Sequence, residues 1–128
     1  MLGIKSYLGL HGDVLSLRSK RNDILASNIA NAATPHFKAR DVDFATELTQ
    51  LAGKGPLTTT DARHIPTMLS NNMSSLKYRV PTNPSLDGNT VELAVEQMEF
   101  SENVVRYQTT LSFLNRRIAG LTSAIKGE

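Results

Sequence analysis

The chain contains 128 residues, the size of one ordinary domain, and 40% of them are hydrophobic. Its net charge of +2, from 14 basic and 12 acidic side chains, is too small and too mixed to indicate a nucleic-acid partner or an acidic substrate. The absence of cysteine excludes a disulfide framework, a thiolate metal site and a cysteine nucleophile. Aromatic residues make up only 5%, which argues against a base-stacking surface.

Residues 1–34 are predicted to form an N-terminal helix. A polar residue, Asn28, interrupts an otherwise apolar helical seam on this segment. The seam residues are Leu10, Val14, Leu17 and Ile24. Asp13 is a candidate N-cap, because the glycines before it disfavour helix and predict a frayed start. Pro35 ends the helix, since the residue before a proline is pushed out of the α region.

Residues 35–86 are predicted to be an irregular, partly extended middle segment with little regular structure. Four of the five prolines and three of the eight glycines fall within 53–88. Only Leu76–Val80 alternates as a short strand does. Asp61 and His64 have the spacing of two metal ligands, but no third ligand is evident. A surface histidine is the favoured interpretation, and no metal or cofactor is predicted.

Residues 87–128 carry the strongest pattern, a seam whose members alternate spacings of four and three. They are Phe100, Val104, Tyr107, Leu111, Leu114, Ile118, Leu121 and Ile125. Asn89 with Glu92 is a capping-box type start, and Gly127 is a candidate stop. A helix over 90–126 would be roughly 55 Å long and needs a partner along its length.

The predicted fold is therefore all-α, with the long N- and C-terminal helices packed as an antiparallel, coiled-coil-like pair. Two helices leave one face of each uncovered, so other chains are expected to supply much of the burial. Two functions fit this pattern. One is an assembly subunit, and the other is a soluble helical adaptor or chaperone that homodimerises through the same seams.

The sequence contains no pattern typical of a catalytic centre. Glu96, Glu99 and Glu102 stand three residues apart on the predicted helix, which is typical of a solvated or ion-pairing stripe. No glycine-rich phosphate loop and no nucleophile elbow are present. We therefore expect neither an enzyme nor a small-molecule substrate.

Residues 27–44 carry a more specific signal of function than the helical patterns do. An Asn-Ile-Ala-Asn helix end that includes Asn28 and Asn31 precedes a turn that contains Thr34, Pro35 and Phe37. This resembles the N-terminal signature of the bacterial flagellar rod and hook family. Residues 87–91 and 100–121 resemble the start and body of that family's C-terminal helix. The short middle segment is most similar to the proximal rod members.

The turn departs from the family at His36, where a glycine is usual. We expect either a positive φ with some strain or a different turn geometry.

Asn28 and Asn31 have two possible roles, namely ending the helix or fixing the register between packed helices.

The resemblance implies a structural subunit of the basal-body rod, in the periplasmic space just outside the inner membrane, that is required for motility. It implies contacts with other copies, other rod proteins, the rod-base adaptor and the membrane (MS) ring. It also implies export, without a cleaved signal, through the flagellar type III gate. Phe44 and Leu48 fit the Phe-x-x-x-apolar export-gate pattern. The same pair could instead fasten this segment to the long helix.

Overall fold

The computed structural model describes residues 4–53 and 76–127, so Asp61 and His64 lie outside the described residues. The elements, in chain order, are α1 (Ile4–Ala30), β1 (Arg40–Val42), α2 (Phe44–Gly53), β2 (Leu76–Tyr78) and α3 (Leu93–Lys126). Cross-helix contacts join the end of α1 to the start of α3, as an antiparallel pair requires. The predicted all-α fold with two long terminal helices and a less regular middle is confirmed.

Helix α1 already includes Ile4, so the prediction of an N-cap at Asp13 is wrong. Gly9 and Gly12 lie inside the helix, and each costs about 1 kcal/mol of helix propensity relative to alanine. Packing against α3 outweighs this local preference, since most helix stability in proteins comes from tertiary contacts.

Helix α3 spans 34 residues and ends where the sequence predicts. Gly127 adopts the left-handed conformation (φ 76°), and its N–H donates to the Ser123 carbonyl at 3.0 Å. The start differs from the prediction, because Glu92 occupies the N-cap position without a side-chain cap. Its carboxylate instead accepts the backbone N–H groups of Thr82 and Asn83, both at 3.2 Å.

The middle segment contains more regular structure than its sequence suggested. The predicted strand near Leu76 is present as β2, which pairs antiparallel with β1 in the register Arg40↔Tyr78. Helix α2 was not predicted, although a capping signal precedes it. The Asp43 carboxylate accepts the Thr46 N–H at 3.2 Å, the contact that an N-cap makes.

The core is small and half polar. Its buried apolar residues are Leu17, Leu25, Ala39 and Val42, and its buried polar residues are Asn28, Asn89, Glu96 and Asn103. Buried polar groups require hydrogen-bond partners, so these four residues bring specific contacts with them. None of the helices in the described part of the chain is long and apolar enough to cross a bilayer.

Candidate assembly surface

The two helices are joined at their buried face by a first polar layer around Asn28 and Glu96. The Asn28 amide donates to Glu96 Oε2 at 3.0 Å and to the Arg40 carbonyl at 2.7 Å. Its Oδ1 accepts the Arg40 N–H at 3.2 Å. One side chain thus bonds both backbone groups of a β1 residue, as a neighbouring strand would. Asn28 therefore connects α1, β1 and α3.

An ionic cluster surrounds this layer. Arg21 on α1 donates to both carboxylate oxygens of Asp41, at 2.9 and 2.8 Å, and to Glu99 on α3 at 2.8 Å. Arg79, just after β2, pairs with Asp41 at 2.5 Å and with the fully buried Glu96 at 3.4 Å. Three carboxylates share two guanidinium groups, and the cluster ties the sheet to both helices.

The cluster shifts the pKa values of its members. Burial opposes ionisation of Asp41, but the hydrogen bonds from Arg21 and from the Val42 N–H outweigh it, so the pKa of Asp41 lies below its ordinary value. The hydrogen bond to Asp41 raises the pKa of Arg21 against the opposing effect of burial. Both side chains are thereby held in their charged forms.

A second polar layer lies one heptad further along α3. The Asn103 amide donates to the Arg18 carbonyl and to Asn22 Oδ1, both at 2.8 Å. The Arg18 guanidinium lies 4.3 Å from the centre of the Phe44 ring, a cation–π arrangement that holds α2 against α1. Burial, followed by the nearby Arg106 and Arg21, lowers the pKa of Arg18.

A junction between the two family-like motifs closes the base of the helix pair. The Asn89 amide donates to the carbonyls of Asn31, Ala32 and Thr34, at 3.1, 2.9 and 2.9 Å. The Phe37 carbonyl accepts the Thr90 N–H at 3.0 Å. The prediction that Asn89 starts α3 by a capping box is wrong, because Glu92 is the N-cap and the Asn89 Oδ1 accepts the N–H of Val91, which precedes the helix, at 2.8 Å. The Asn89 amide nitrogen meanwhile satisfies carbonyls at the end of α1.

The residue after Pro35 adopts the left-handed backbone conformation, although it is not a glycine. His36 has φ 61°, so the positive φ that a glycine would allow is retained by a histidine. Its ring lies over Gly88, where φ is 75° and an added Cβ would lie 2.9 Å from His36 Nδ1. A side chain at position 88 would therefore need a left-handed backbone and would require the His36 ring to move.

The structure gives different contacts to Asn28 and Asn31, for which the sequence allowed the same two roles. Asn31 donates to the Ser27 carbonyl at 2.8 Å and accepts from the Thr34 hydroxyl at 3.1 Å, so its contacts lie within its own turn. Asn28 is 1% exposed and makes all its side-chain contacts with other elements. The geometry gives Asn31 the helix-ending contacts and Asn28 the cross-element contacts.

The predicted apolar seam is only partly covered within the chain. Leu17 is buried, Val14 and Ile24 are half-buried, and Leu10 is 40% exposed. On α3 the half-buried members are Phe100, Tyr107, Leu111, Leu114 and Leu121. The exposed members are Val104 (40%), Ile118 (43%) and Ile125 (76%). Exposed apolar side chains in a continuous series mark an interaction surface.

Sequence reasoning missed the residues that α3 buries completely. Glu96 and Asn103 are both 0% exposed. Glu96 was expected on a solvated or ion-pairing stripe. All three glutamates form ion pairs, Glu96 with Arg79, Glu99 with Arg21 and Glu102 with Arg106, but Glu96 does so from a fully buried position. Two features of the sequence could have indicated that Glu96 and Asn103 are buried. They lie seven residues apart beside the apolar seam, and α1 carries polar residues that can bond them.

The face of α3 turned away from α1 is uncharged over most of its length. Most of its exposed residues are small or polar, but Val105 (65% exposed) also lies on it and Met98 (59% exposed) flanks it. The small or polar ones are Ala94, Gln97, Ser101, Gln108, Ser112, Asn115, Ala119 and Thr122. In the described part of the chain, no cluster of three or more histidines or carboxylates is arranged to hold a metal ion.

A helix pair that leaves many large apolar side chains exposed has the surface of a subunit that packs against other chains. Comparison with known proteins points the same way. The chain is 59% identical over 128 residues to the flagellar basal body rod protein FlgB of Cereibacter sphaeroides, covering 100% of both. It is 46% identical over 124 residues to the protein of that name from Aeromonas hydrophila, covering 94% of this chain and 92% of the relative.

The corresponding protein of Escherichia coli strain K12 is 42% identical over 122 residues, which are 89% of this chain and 88% of the relative. No protein-family model matches the chain. Identity at this level over nearly the whole length of each relative establishes the family of the chain. The chain belongs to the FlgB family of flagellar basal body rod proteins.

Proposed function

We propose that this chain is a structural, non-catalytic subunit of the proximal rod, the part of the flagellar drive shaft nearest the inner membrane, and that motility requires it. The observation that carries the proposal is the full-length match to rod proteins, together with an apolar seam that the chain does not cover by itself. A drive-shaft subunit needs a stiff shape and complementary neighbours, and a long helix pair supplies both.

The terminal helices form the assembly domain in this proposal. Residues 1–34 and 87–128 are its two halves, and residues 35–86 are an attached segment. The seam residues that are exposed or half-buried, between Leu10 and Asn31 on the first half and between Phe100 and Ile125 on the second, pack against neighbouring subunits, whereas Leu17 and Asn28 are buried within the chain. The ionic cluster at Arg21 and Asp41 supports this division, because it anchors the attached segment to the base of the pair.

The uncharged face of α3 suits the inner wall of a tube. Most of this face carries small or polar side chains without charge, which would retain a passing polypeptide only weakly, and Val105 is an apolar exception on it. Ala94, Ser112 and Ala119 are examples of the small side chains on this face. We assign this face to the channel through which later subunits pass.

The partners follow from the position in the rod. They are other copies of the chain, other rod proteins, the rod-base adaptor and the MS ring, with the export gate as a transient partner. Phe44 and Leu48 are the candidate gate motif. Phe44 contacts Arg18 in the folded chain, so gate binding through Phe44 requires the unfolded or opened form. Neither nucleic acid nor a small-molecule substrate has a place in this function.

The test is mass spectrometry of stringently washed hook–basal bodies from cells that express the chain at its natural level. The proposal expects the chain in a fixed ratio to other rod proteins, and a deletion strain that is non-motile. Leu114→Asp in the same strain should abolish motility, because it places an unpaired charge on the seam. Glu102→Gln, on an exposed ion pair, is the matched control and should swim normally.

Absence of the chain from basal bodies would contradict the proposal. If it were then recovered from the cytoplasm as a concentration-dependent dimer, the adaptor or chaperone interpretation would replace it.

A further inference from the structure

Charge is segregated along α3. Between Leu93 and Thr110 the helix carries three glutamates and one arginine. From Leu111 to Gly127 it carries Arg116, Arg117 and Lys126 and no acidic residue. We call residues 111–127 the basic tail. Phe113, Ile118 and Ile125 on it are 56%, 43% and 76% exposed. The basic tail is therefore both cationic and apolar, and α1 covers little of it.

The other end of the molecule contains a cleft of complementary character. It lies between the segment that follows β2 and the first turns of α3, with a volume of about 430 Å³. Val42, Val80 and Val95 contribute apolar surface. Its charged residues are the carboxylates of Asp41, Asp43, Glu92 and Glu99 and the cations of Lys77 and Arg79. We call it the acidic cleft.

We propose that the basic tail of one copy docks in the acidic cleft of a second copy. Asp41, Asp43 and Glu99 already pair with cations of the same chain, so the excess negative charge of the cleft lies at Glu92, whose carboxylate bonds backbone N–H groups. Charge complementarity selects this occupant, because the tail has only cations. Apolar side chains on the tail meet the apolar part of the cleft, which removes both from water. The inference rests on the proposed rod function and specifies one of its subunit contacts.

The contact has a structural consequence. It joins two different patches of the same chain, so each copy in an array offers a free cleft at one end and a free tail at the other. Such a contact adds subunits in one direction and does not close on a twofold axis unless the rotation completes a ring. A rod built by addition of subunits needs a contact of this kind.

The chain has no native cysteine, so introduced pairs report contacts without background. Thr82 on the cleft and Arg116 on the tail are both exposed. In hook–basal bodies that contain Thr82→Cys/Arg116→Cys, a short bismaleimide should link the chain to itself in multiples. The single variants should give no such series, and neither should Thr82→Cys/Ser101→Cys, whose second site lies on the uncharged face of α3.

A charge exchange provides the second measurement. Arg116→Glu/Lys126→Glu should lower incorporation of the chain into basal bodies at least tenfold. Adding Val80→Lys and Thr82→Lys to the same chain should restore part of it, since every copy supplies both surfaces. Arg106→Glu, an exposed reversal within the acidic half of α3, should leave incorporation within twofold of the wild-type value.

The outcomes distinguish the two proposals. Basal bodies that contain the chain but show links only to a different rod protein, or no link between copies, would overturn the docking contact and leave the rod function intact. Basal bodies that lack the unmodified chain would overturn the rod function itself. Equal incorporation of the reversed and rescued variants would also overturn the docking contact.

Discussion

The two halves of α3 are stabilised in opposite ways. From Leu93 to Tyr107 the helix lies against α1 and the sheet, and its fully buried side chains are Glu96 and Asn103. From Leu111 to Lys126 no residue of the helix is buried, and Ile125 is 76% exposed. Both halves expose large apolar side chains, but only the first half is fixed to the rest of the chain by buried side chains. This difference separates folding from assembly within one helix.

Among the changes considered, removal of the Arg21 side chain should lower the stability of the folded chain most, because Arg21 holds the first half of α3 against α1 and the sheet. Arg21→Ala removes the guanidinium that Asp41 and Glu99 share, although Asp41 keeps Arg79, and losing part-buried hydrogen bonds between charged groups costs about 1.5–3 kcal/mol of unfolding free energy. Denaturant unfolding of the isolated chain measures this cost. Arg106→Ala removes an exposed ion pair and should change the unfolding free energy by less than about 1 kcal/mol. Equal effects would contradict the assigned role of the cluster.

The same cluster predicts a loss of stability in acid. The pKa of Asp41 is lower in the folded chain than its ordinary value, so the unfolded chain binds the proton more readily. Its stabilising contribution is complete above the ordinary pKa and falls as the pH drops through the folded value. Asp41→Asn should flatten the stability–pH profile below about pH 4. An unchanged profile would show that Asp41 does not contribute.

Loss of the Asn89 side chain should affect the junction at the base. Asn89→Ala removes a donor to the carbonyls of Asn31, Ala32 and Thr34, of which the first and third keep a backbone donor, so we expect a cost of about 1 kcal/mol of unfolding free energy. Thermal unfolding detects this loss. Asn83→Ala is the control, because Asn83 is exposed and its known contact uses its backbone N–H. A loss of stability no larger than that of the control would contradict the role of Asn89 at the end of α1.

Gly88 and His36 should be energetically coupled. Gly88→Ala forces a left-handed alanine and a clash with His36, at a cost of about 1–2 kcal/mol for the backbone alone. His36→Gly removes the clash, so the double variant should lose less stability than the sum of the two single changes. Strict additivity in a double-mutant cycle would contradict the packing of His36 over Gly88.

The smallest effect on folding is expected in the second half of α3. Ile125→Asp lies at a 76% exposed site and should change the unfolding free energy of the isolated chain by less than about 0.5 kcal/mol. The same change should abolish swimming, because it buries a charge where subunits meet. Thr122→Asp, on the uncharged face, is the comparison variant. Normal swimming of the Ile125→Asp strain would contradict the seam assignment.

Much of the fold was predictable, because it depends on patterns local to the chain. The alternation of four and three residues places α3 and its apolar face, and Gly127 marks its end. The short strand at Leu76 was evident from alternation. The start of α1 was not, since Gly9 and Gly12 oppose helix locally and packing against α3 outweighs them.

The polar contacts were not predictable from local patterns. Glu96 is buried because Asn28, 68 residues earlier, supplies its hydrogen bond, and Asn103 depends on Arg18, 85 residues earlier. Asn89 has the local environment of a cap for α3 but bonds the end of α1. Burial of a polar side chain depends on partners that the fold brings from far along the chain.

Amide hydrogen exchange on the isolated chain and on assembled rods tests the division of α3 most directly. We expect strong protection in the isolated chain over residues 96–107 and weak protection over 114–126, because the second stretch has few buried contacts. Assembly should protect the second stretch and leave the first unchanged. Equal, strong protection over both stretches in a monomeric chain would contradict the account.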